Sequence, residues 1–315
     1  MNNRVILVAC TNVGRHIINV FFEKKIKSNL VGIINLDYVA AKNKSNYDSY
    51  IDLKKNYNLN LNYVKNINDT KSIEWIKKLE PSIIIQSGWS QKFSNKLLSI
   101  PKYYCIGQHP APLPVGRGAA CVNWAIINNY KDWGDTFFIM DDKYDNGDIL
   151  AQKKFKINIY DDVKTIYDKV CYSSRLMVRQ NIDLWSSGKF KKKKQNIKKA
   201  VYFKKRKPED GEINFNDNAK KILRIIRALK DPYPGAYIYF KNKKIIITDA
   251  ILSKNKKNIF KEIEKKNSKN ILVLNNNMYI KCSKNKKSFI KILKAKVENN
   301  PEMITRELIR NLKHL

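Results

Sequence analysis

His109 is the residue of this chain best framed to move a proton. It stands in Cys105-Ile106-Gly107-Gln108-His109-Pro110-Ala111-Pro112-Leu113-Pro114-Val115-Gly116-Arg117-Gly118. Each proline locks its own φ and restricts the residue before it. Gly116 and Gly118 then permit tight turns around Arg117. A carboxylate, Asp145, follows 36 positions after His109 in Asp145-Asn146-Gly147-Asp148-Ile149. A rigid loop presenting one imidazole, with a carboxylate available downstream, suits an acid/base centre. The other two histidines, His16 among apolar residues and His314 next to last, lack such a frame. As residue types alone, the stretch reads equally well as a Pro-rich surface turn with an incidental histidine. Asp-Asn-Gly is likewise ordinary turn chemistry.

The elements around this loop read as alternating strands and helices. Val5–Ala9, Leu30–Ile34, Leu61–Val64, Ser82–Gln86 and Tyr104–Ile106 are short apolar runs, the mark of buried parallel strands. Between them lie a turn into a helix at Gly14–Phe21, a polar loop with a short helix over 37–58, a helix over Thr70–Leu79 and another near Ser94–Ser99. The pattern predicts an α/β fold with a doubly wound parallel sheet. Gly134–Met140 and Ile149–Ile157 read as a hairpin around a 141–148 loop, and Asp161–Trp185 has helical periodicity. Lys189–Lys207 is a basic stretch interrupted by Val201-Tyr202-Phe203. Beyond residue 237 come five short strands, at 237–240, 244–247, 271–274, 278–281 and 289–293. Asn275-Asn276-Asn277 turns between the third and fourth, which suggests a small barrel. A last helix is expected from Pro301 to about Leu312.

Two ordered, separated motifs carry a resemblance. His109-Pro-x-x-Leu113-Pro-x-x-Arg117-Gly is followed by Asn123-Trp124-Ala125-Ile126, by Gly134-x-Thr136-x-x-x-Met140 and by Asp145-x-Gly147-Asp148-Ile149. Downstream come Lys207-Pro-Glu-Asp-Gly-Glu-Ile213, Ile226-Arg227-Ala228 and Asp231-Pro-Tyr-Pro-Gly-Ala236. Over roughly residues 4–295 the chain resembles the folate-dependent formyltransferase family. That family includes methionyl-tRNA formyltransferase, glycinamide ribonucleotide transformylase and nucleotide-sugar N-formyltransferases. The resemblance implies a Rossmann-like (formyltransferase-fold) catalytic domain over 1–188, a basic linker over 189–207 and a C-terminal domain with an OB-like β-barrel over 208–315. It implies an enzyme that moves a formyl group from 10-formyltetrahydrofolate to an amine, with His109 and Asp145 as catalytic residues. An imidazole with a pKa near neutrality suits that proton transfer, and a carboxylate beside it fixes its tautomer. The pterin pocket is expected at Ser87, Gly88, Trp89 and Ser90 and at Met140, Asp141, Asp142 and Tyr144. Trp89 serves either as a pocket wall or as core packing. Arg117, as an anion-binding or loop-fixing residue, and its neighbour Gly118 are expected on the acceptor side.

The departure is Gly107, where the family carries an asparagine. Gln108 should point away from His109, because strand side chains alternate faces. Three readings follow: a water or a remote amide fills the room left by the glycine, the acceptor or acyl group is unusual, or the protein is an impaired, formyltransferase-like binding module. The acceptor favoured is the amino group of a nucleotide-linked amino sugar, with initiator tRNA as the alternative. The sequence leaves the oligomeric state open, a homodimer included.

Composition sets outer bounds. The chain has 315 residues and a formal net charge of +34, from 62 Lys+Arg against 28 Asp+Glu. That excess fits an anionic partner, but it is spread along a chain crowded with Lys, Asn and Ile, as mutational bias would also produce. No apolar run approaches the about 20 residues that span a bilayer, and no signal-peptide pattern opens the chain. Five cysteines without Cys-x-x-Cys spacing suggest reduced, packed thiols and a cytoplasmic location, with no metal site. Cys10-Thr11-Asn12-Val13-Gly14 carries a single glycine, so dinucleotide binding is not expected.

Overall fold

The computed structural model describes residues 3–42, 44–240, 243–253, 270–274, 277–282 and 288–298. The expected helix at 301–312 and two residues of the 275–277 turn lie outside them. Among the described residues the strands are β1 (Arg4–Ala9), β2 (Asn29–Leu36), β3 (Leu61–Val64), β4 (Ile83–Ser87), β5 (Tyr104–His109), β6 (Val115–Gly118), β7 (Asp132–Ile139), β8 (Ile149–Lys156), β9 (Val201–Phe203), β10 (Ala236–Phe240), β11 (Lys243–Leu252), β12 (Ile271–Leu274), β13 (Asn277–Cys282) and β14 (Ser288–Val297). The helices are α1 (Asn12–Ile18), α2 (Tyr38–Ala41), α3 (Ile51–Tyr57), α4 (Thr70–Lys78), α5 (Asn95–Leu98), α6 (Cys121–Ile127), α7 (Val163–Ser186) and α8 (Ala219–Ala228).

Two compact units divide the chain. The first comprises 1–121, 131–157 and 166–204, and the second 122–130, 158–165 and 205–315. The first is built on a seven-stranded sheet of order β3-β2-β1-β4-β5-β7-β8. β3 to β5 run parallel, while β7 and β8 pair antiparallel to β5 and to each other. The apolar run of β1 shows why such a strand must be buried on both faces. Val5, Leu7 and Ala9 join one core with Val170, Val178 and Trp185 of α7. Ile6, Val8 and Cys10 join the other with Ile76 of α4 and Leu97 of α5. Each buried aliphatic side chain contributes about 1.5–3 kcal/mol. Asp69 and Ser94 cap α4 and α5, accepting from Ser72 N and Leu97 N, an arrangement worth about 1 kcal/mol each.

The strand order reverses between β1 and β4, so the crevice at their carboxyl ends is where open α/β sheets bind ligands. Three findings extend the sequence reading. β5 runs on to His109. The 37–58 segment holds two helices. Residues 201–203 of the expected linker form β9, which pairs with β6.

The second unit holds an antiparallel half-barrel sheet of order β10-β11-β14-β13-β12. On it packs α8, whose buried Ile222, Ile225 and Ile226 recur at helical spacing. Within this unit Asn123 Nδ2 donates to Ala228 O, and Arg224 Nε donates to Ile127 O. Asn123 is therefore a packing residue. No helix among the described residues is long and apolar enough to cross a membrane. They hold no cluster of three or more His, Cys, Asp or Glu that could bind a metal, and all five cysteines are free and buried.

Candidate active site

His109 ends β5 inside the first unit and is 8% exposed. Its loop is held by backbone bonds, Ala111 N to His109 O at 2.8 Å and Leu113 N to Ala111 O at 3.0 Å. Thr136 Oγ1, directly across on β7, donates to Ala111 O. His109 Nε2 lies 2.7 Å from Gly116 O. A carbonyl only accepts, so Nε2 carries a hydrogen and Nδ1 is the nitrogen free to exchange a proton. Nδ1 faces Asp145 Oδ1 at 3.6 Å, an ion-pair distance too long for a hydrogen bond.

Asp145 occupies a turn at φ +54, in the left-handed region. Its Oδ2 accepts from Gly118 N at 2.8 Å, which aims the carboxylate at the histidine loop. Two glycines make this approach possible. A Cβ on Gly118, at φ +93, would strike Phe203 O, and one on Gly147 would strike Ile139 O.

The imidazole pKa is raised, to about 10. Burial opposes the charged ring, but the Cys121 sulfur, the Asp145 carboxylate and the Gly116 carbonyl outweigh it. That lies above the near-neutral value expected from the sequence and favours the protonated ring. Cys121, whose thiol also donates to Pro110 O, was not singled out from the sequence.

Position 107 brings a second correction. On Gly107 a Cβ would lie 2.7–2.8 Å from the Phe138 ring and 3.1 Å from Met140 Cγ. The nearest atoms to that position are side-chain carbons of Phe138 and Met140, so an added side chain meets apolar packing. Gln108 points to the reverse face, as strand alternation requires. There its Nε2 donates to Asp135 Oδ1 at 2.5 Å and its Oε1 accepts from Ser87 Oγ at 2.9 Å. Ser174 of α7 completes the cluster on Asp135 Oδ2. Burial pushes the Asp135 carboxyl up to about 7, against the hydrogen bonds from Ser174 and Gln108 that lower it.

The expected pocket residues are only partly brought together. Ser87 is fully buried and its hydroxyl is committed to Gln108. Gly88, at φ +61, packs against Thr11. Gln86 Nε2 donates to Trp89 O, fixing the turn after β4. Trp89 is 8% exposed within the core, yet its buried Nε1 finds no partner in the structure. Ser90 and Asp142 are exposed, and Asp141 accepts from Lys143 N. Tyr144 is exposed beneath Lys92 Nζ, 5.5 Å from its ring centroid, so the 87–92 and 140–145 loops meet. Arg117 is 0% exposed and donates to Gln195, Asn146 and Tyr202, bonds that tie its loop to its neighbours.

The comparisons agree with this architecture. Residues 6–179 match the formyl transferase model and residues 205–313 the formyl transferase C-terminal domain. The methionyl-tRNA formyltransferase of Caldanaerobacter subterraneus subsp. tengcongensis is 29% identical over 75% of this chain and 73% of its own length. The bifunctional polymyxin resistance protein ArnA of Wigglesworthia glossinidia brevipalpis is 36% identical over 58% of this chain, but the match spans only 28% of ArnA. Among solved structures, the N-formyltransferase of Helicobacter canadensis, in complex with folinic acid and dTDP-3-aminofucose, superposes with a TM-score of 0.68. It is 18% identical, over 93% of this chain and 99% of that one. By sequence and by fold alike, this chain belongs to the formyl transferase family.

Proposed function

We propose that the protein transfers a formyl group from 10-formyltetrahydrofolate to an amine, with His109 and Asp145 as its catalytic pair. The observation that carries this reading is the buried imidazole whose Nδ1 faces a carboxylate on the glycine-flanked loops. When bound, the folate supplies an activated formyl carbon. Attack by a neutral amine creates oxyanion character there, and the leaving folate nitrogen needs a proton. His109, held as the imidazolium, offers a charge-assisted N–H at Nδ1 to that oxygen or nitrogen. This also answers the missing asparagine: a charged donor replaces a neutral one aimed at the developing oxyanion. Asp145 favours the protonated ring and, as a carboxylate, can accept the proton the amine loses, while the proton on His109 Nδ1 passes to the leaving folate nitrogen.

The residues fit a folate at the carboxyl ends of β4 and β5. The buried Trp89 indole N–H lacks a partner, and the backbone of 87–90 and 140–144 can read a pterin edge. Ser87 serves there through its backbone, since its hydroxyl is taken.

For the acceptor we favour a nucleotide-linked amino sugar. The Asp231-Pro-Tyr-Pro-Gly-Ala segment and the loss of asparagine at 107 support it, and the Helicobacter canadensis enzyme offers a precedent on this fold. Methionyl initiator tRNA is the second reading, favoured by the names of the sequence relatives and by the +34 charge. Incubation with 10-formyltetrahydrofolate against a panel of nucleotide-linked amino sugars and charged initiator tRNA separates them. Formylation of tRNA alone would overturn the sugar reading, and no transfer to any amine would overturn both.

A further inference from the structure

The segment expected to be a basic linker is laced into the site. Ile149 and Lys193 exchange two backbone hydrogen bonds, of 2.8 and 2.9 Å. Eight residues on, Val201–Phe203 begins to pair with Val115–Gly118 in the histidine loop. Between these anchors, with exposed neighbours on both sides, Gln195 turns inward. Its Nε2 donates to Asp145 O at 2.9 Å and to Gly147 O at 2.8 Å. Its Oε1 accepts from Arg117 Nε at 3.2 Å and Nη2 at 2.7 Å. Every polar valence of the amide that matters here is used, and each bond reaches one of the two loops that carry the catalytic pair.

Two physical costs explain why such a residue is needed. Asp145 holds a left-handed φ that costs an ordinary residue about 1–2 kcal/mol, so its turn must be restrained from outside. Arg117 is a fully buried cation with no carboxylate partner among the described residues. Its remaining donors go to Asn146 Oδ1 and Tyr202 Oη, with the guanidinium 5.5 Å from the Tyr202 ring centroid. A buried guanidinium is tolerable only when its N–H groups are satisfied. Gln195 meets both needs at once.

We infer that Gln195 is a positioning residue for formyl transfer: it ties the Asp145 turn to Arg117 and so sets the carboxylate against the imidazole. This rests on the roles proposed for His109 and Asp145. A neutral amide is required because it must donate to two carbonyls while accepting from a cation. Glutamate would satisfy Arg117 and repel both carbonyls.

The test uses the full chain, with circular dichroism read first. Gln195→Met removes both functions, and Gln195→Glu removes only the donors. Histidine-detected NMR then follows the His109 titration, assigned by its loss in His109→Ala, with His16 and His314 the other two histidines of the chain. The titratable groups around the ring are Asp145, Cys121 and, behind the strand, Asp135, and neither substitution alters them. With the carboxylate released, the His109 midpoint is expected to fall by at least about one unit in both variants. Turnover is expected to drop about tenfold to a hundredfold, as misplacement of reacting groups does, with KM for the folate little changed. A folded variant with the wild-type midpoint and turnover overturns the proposal. So does failure of both variants to fold, which would make Gln195 a folding requirement. If instead His109→Ala keeps its turnover while Gln195→Met still moves the midpoint, the catalytic assignment fails and the brace stands.

Discussion

Strand β5 carries an ionisable centre on each face, and the two are built oppositely. In front, His109 meets a carboxylate that keeps 15% side-chain exposure and a backbone N–H. Behind, Asp135 is fully buried among neutral partners, Gln108 and Ser174. In front, Cys121, the opposite charge of Asp145 and the Gly116 carbonyl outweigh burial and raise the imidazole pKa. The back charge has mainly hydrogen bonds, with a weaker pull from His109 through the strand, to oppose desolvation, so its carboxyl is pushed up to about 7. Burial by itself therefore does not mark a working group. What marks the front is a ring nitrogen left without a hydrogen bond to its carboxylate, beside loops that can admit a ligand. The back is closed on itself.

The largest break in this comparison is His109→Ala. Turnover should fall at least about a hundredfold, the lower end for general acid–base catalysis, with the circular dichroism spectrum unchanged. Asp145→Asn is gentler. The amide can still accept from Gly118 N, but the charge is gone and the imidazole pKa falls. Activity depends on the protonated ring, so it is present below that pKa and lost as pH rises through it. The alkaline limb, expected near 10 in the wild type, should move to lower pH, with about tenfold less activity above it for each unit of displacement. An unmoved limb in a kcat–pH profile would reduce Asp145 to a turn residue.

The front was more legible in the sequence than the back. Prolines at 110, 112 and 114 announce a fixed loop around a histidine, and a period of two places Gln108 on the opposite face. The run Val5–Cys10 spoke for a doubly covered strand because no polar residue interrupts it. Asp135 left no such trace: one acid in a hairpin normally faces water, and its partners Ser87, Gln108 and Ser174 lie far apart in sequence. Gln195 was hidden for the same reason, among lysines that do face solvent. Phe138 and Met140 were legible as hydrophobic, but their occupation of the space beside Gly107 follows from packing between β5 and β7. Periodicity is local, whereas these contacts are made by the register of strands.

That packing reverses one expectation, that asparagine at 107 would be accommodated. Gly107→Asn must push the Phe138 ring aside in a close-packed interior, at about 1–3 kcal/mol. The melting temperature should drop, and turnover should fall less than in the Asp145 variant, because His109 itself is untouched. Adding Phe138→Leu should restore part of both by making room for the amide. If Gly107→Asn alone matches the wild type in both, then Phe138 yields freely and packing is not what excludes the asparagine.

The smallest effect on activity is expected from the back. Asp135→Asn keeps the shape, still accepts from Gln108 and can donate to the Ser174 hydroxyl, so turnover should remain within about threefold of the wild type. Its signature is instead in stability. Asp135 has a folded-state pKa raised to about 7 from an ordinary 3.8. Between those values the folded protein binds a proton that the unfolded chain has released. Stability from this group is thus full below the lower value, declines as pH rises toward 7 and is flat beyond. The asparagine variant cannot show that decline. The difference in unfolding free energy between wild type and variant, followed from pH 4 to 8 by urea denaturation, should therefore shift steadily against the wild type and level off above 7. Because His109 is coupled to Asp135, the same pair is also compared in the His109→Ala background, where that titration is absent. A difference curve flat across the range would mean that Asp135 is ionised throughout. The back of the strand would then hold its charge as the front does, and the contrast between the two faces would be lost.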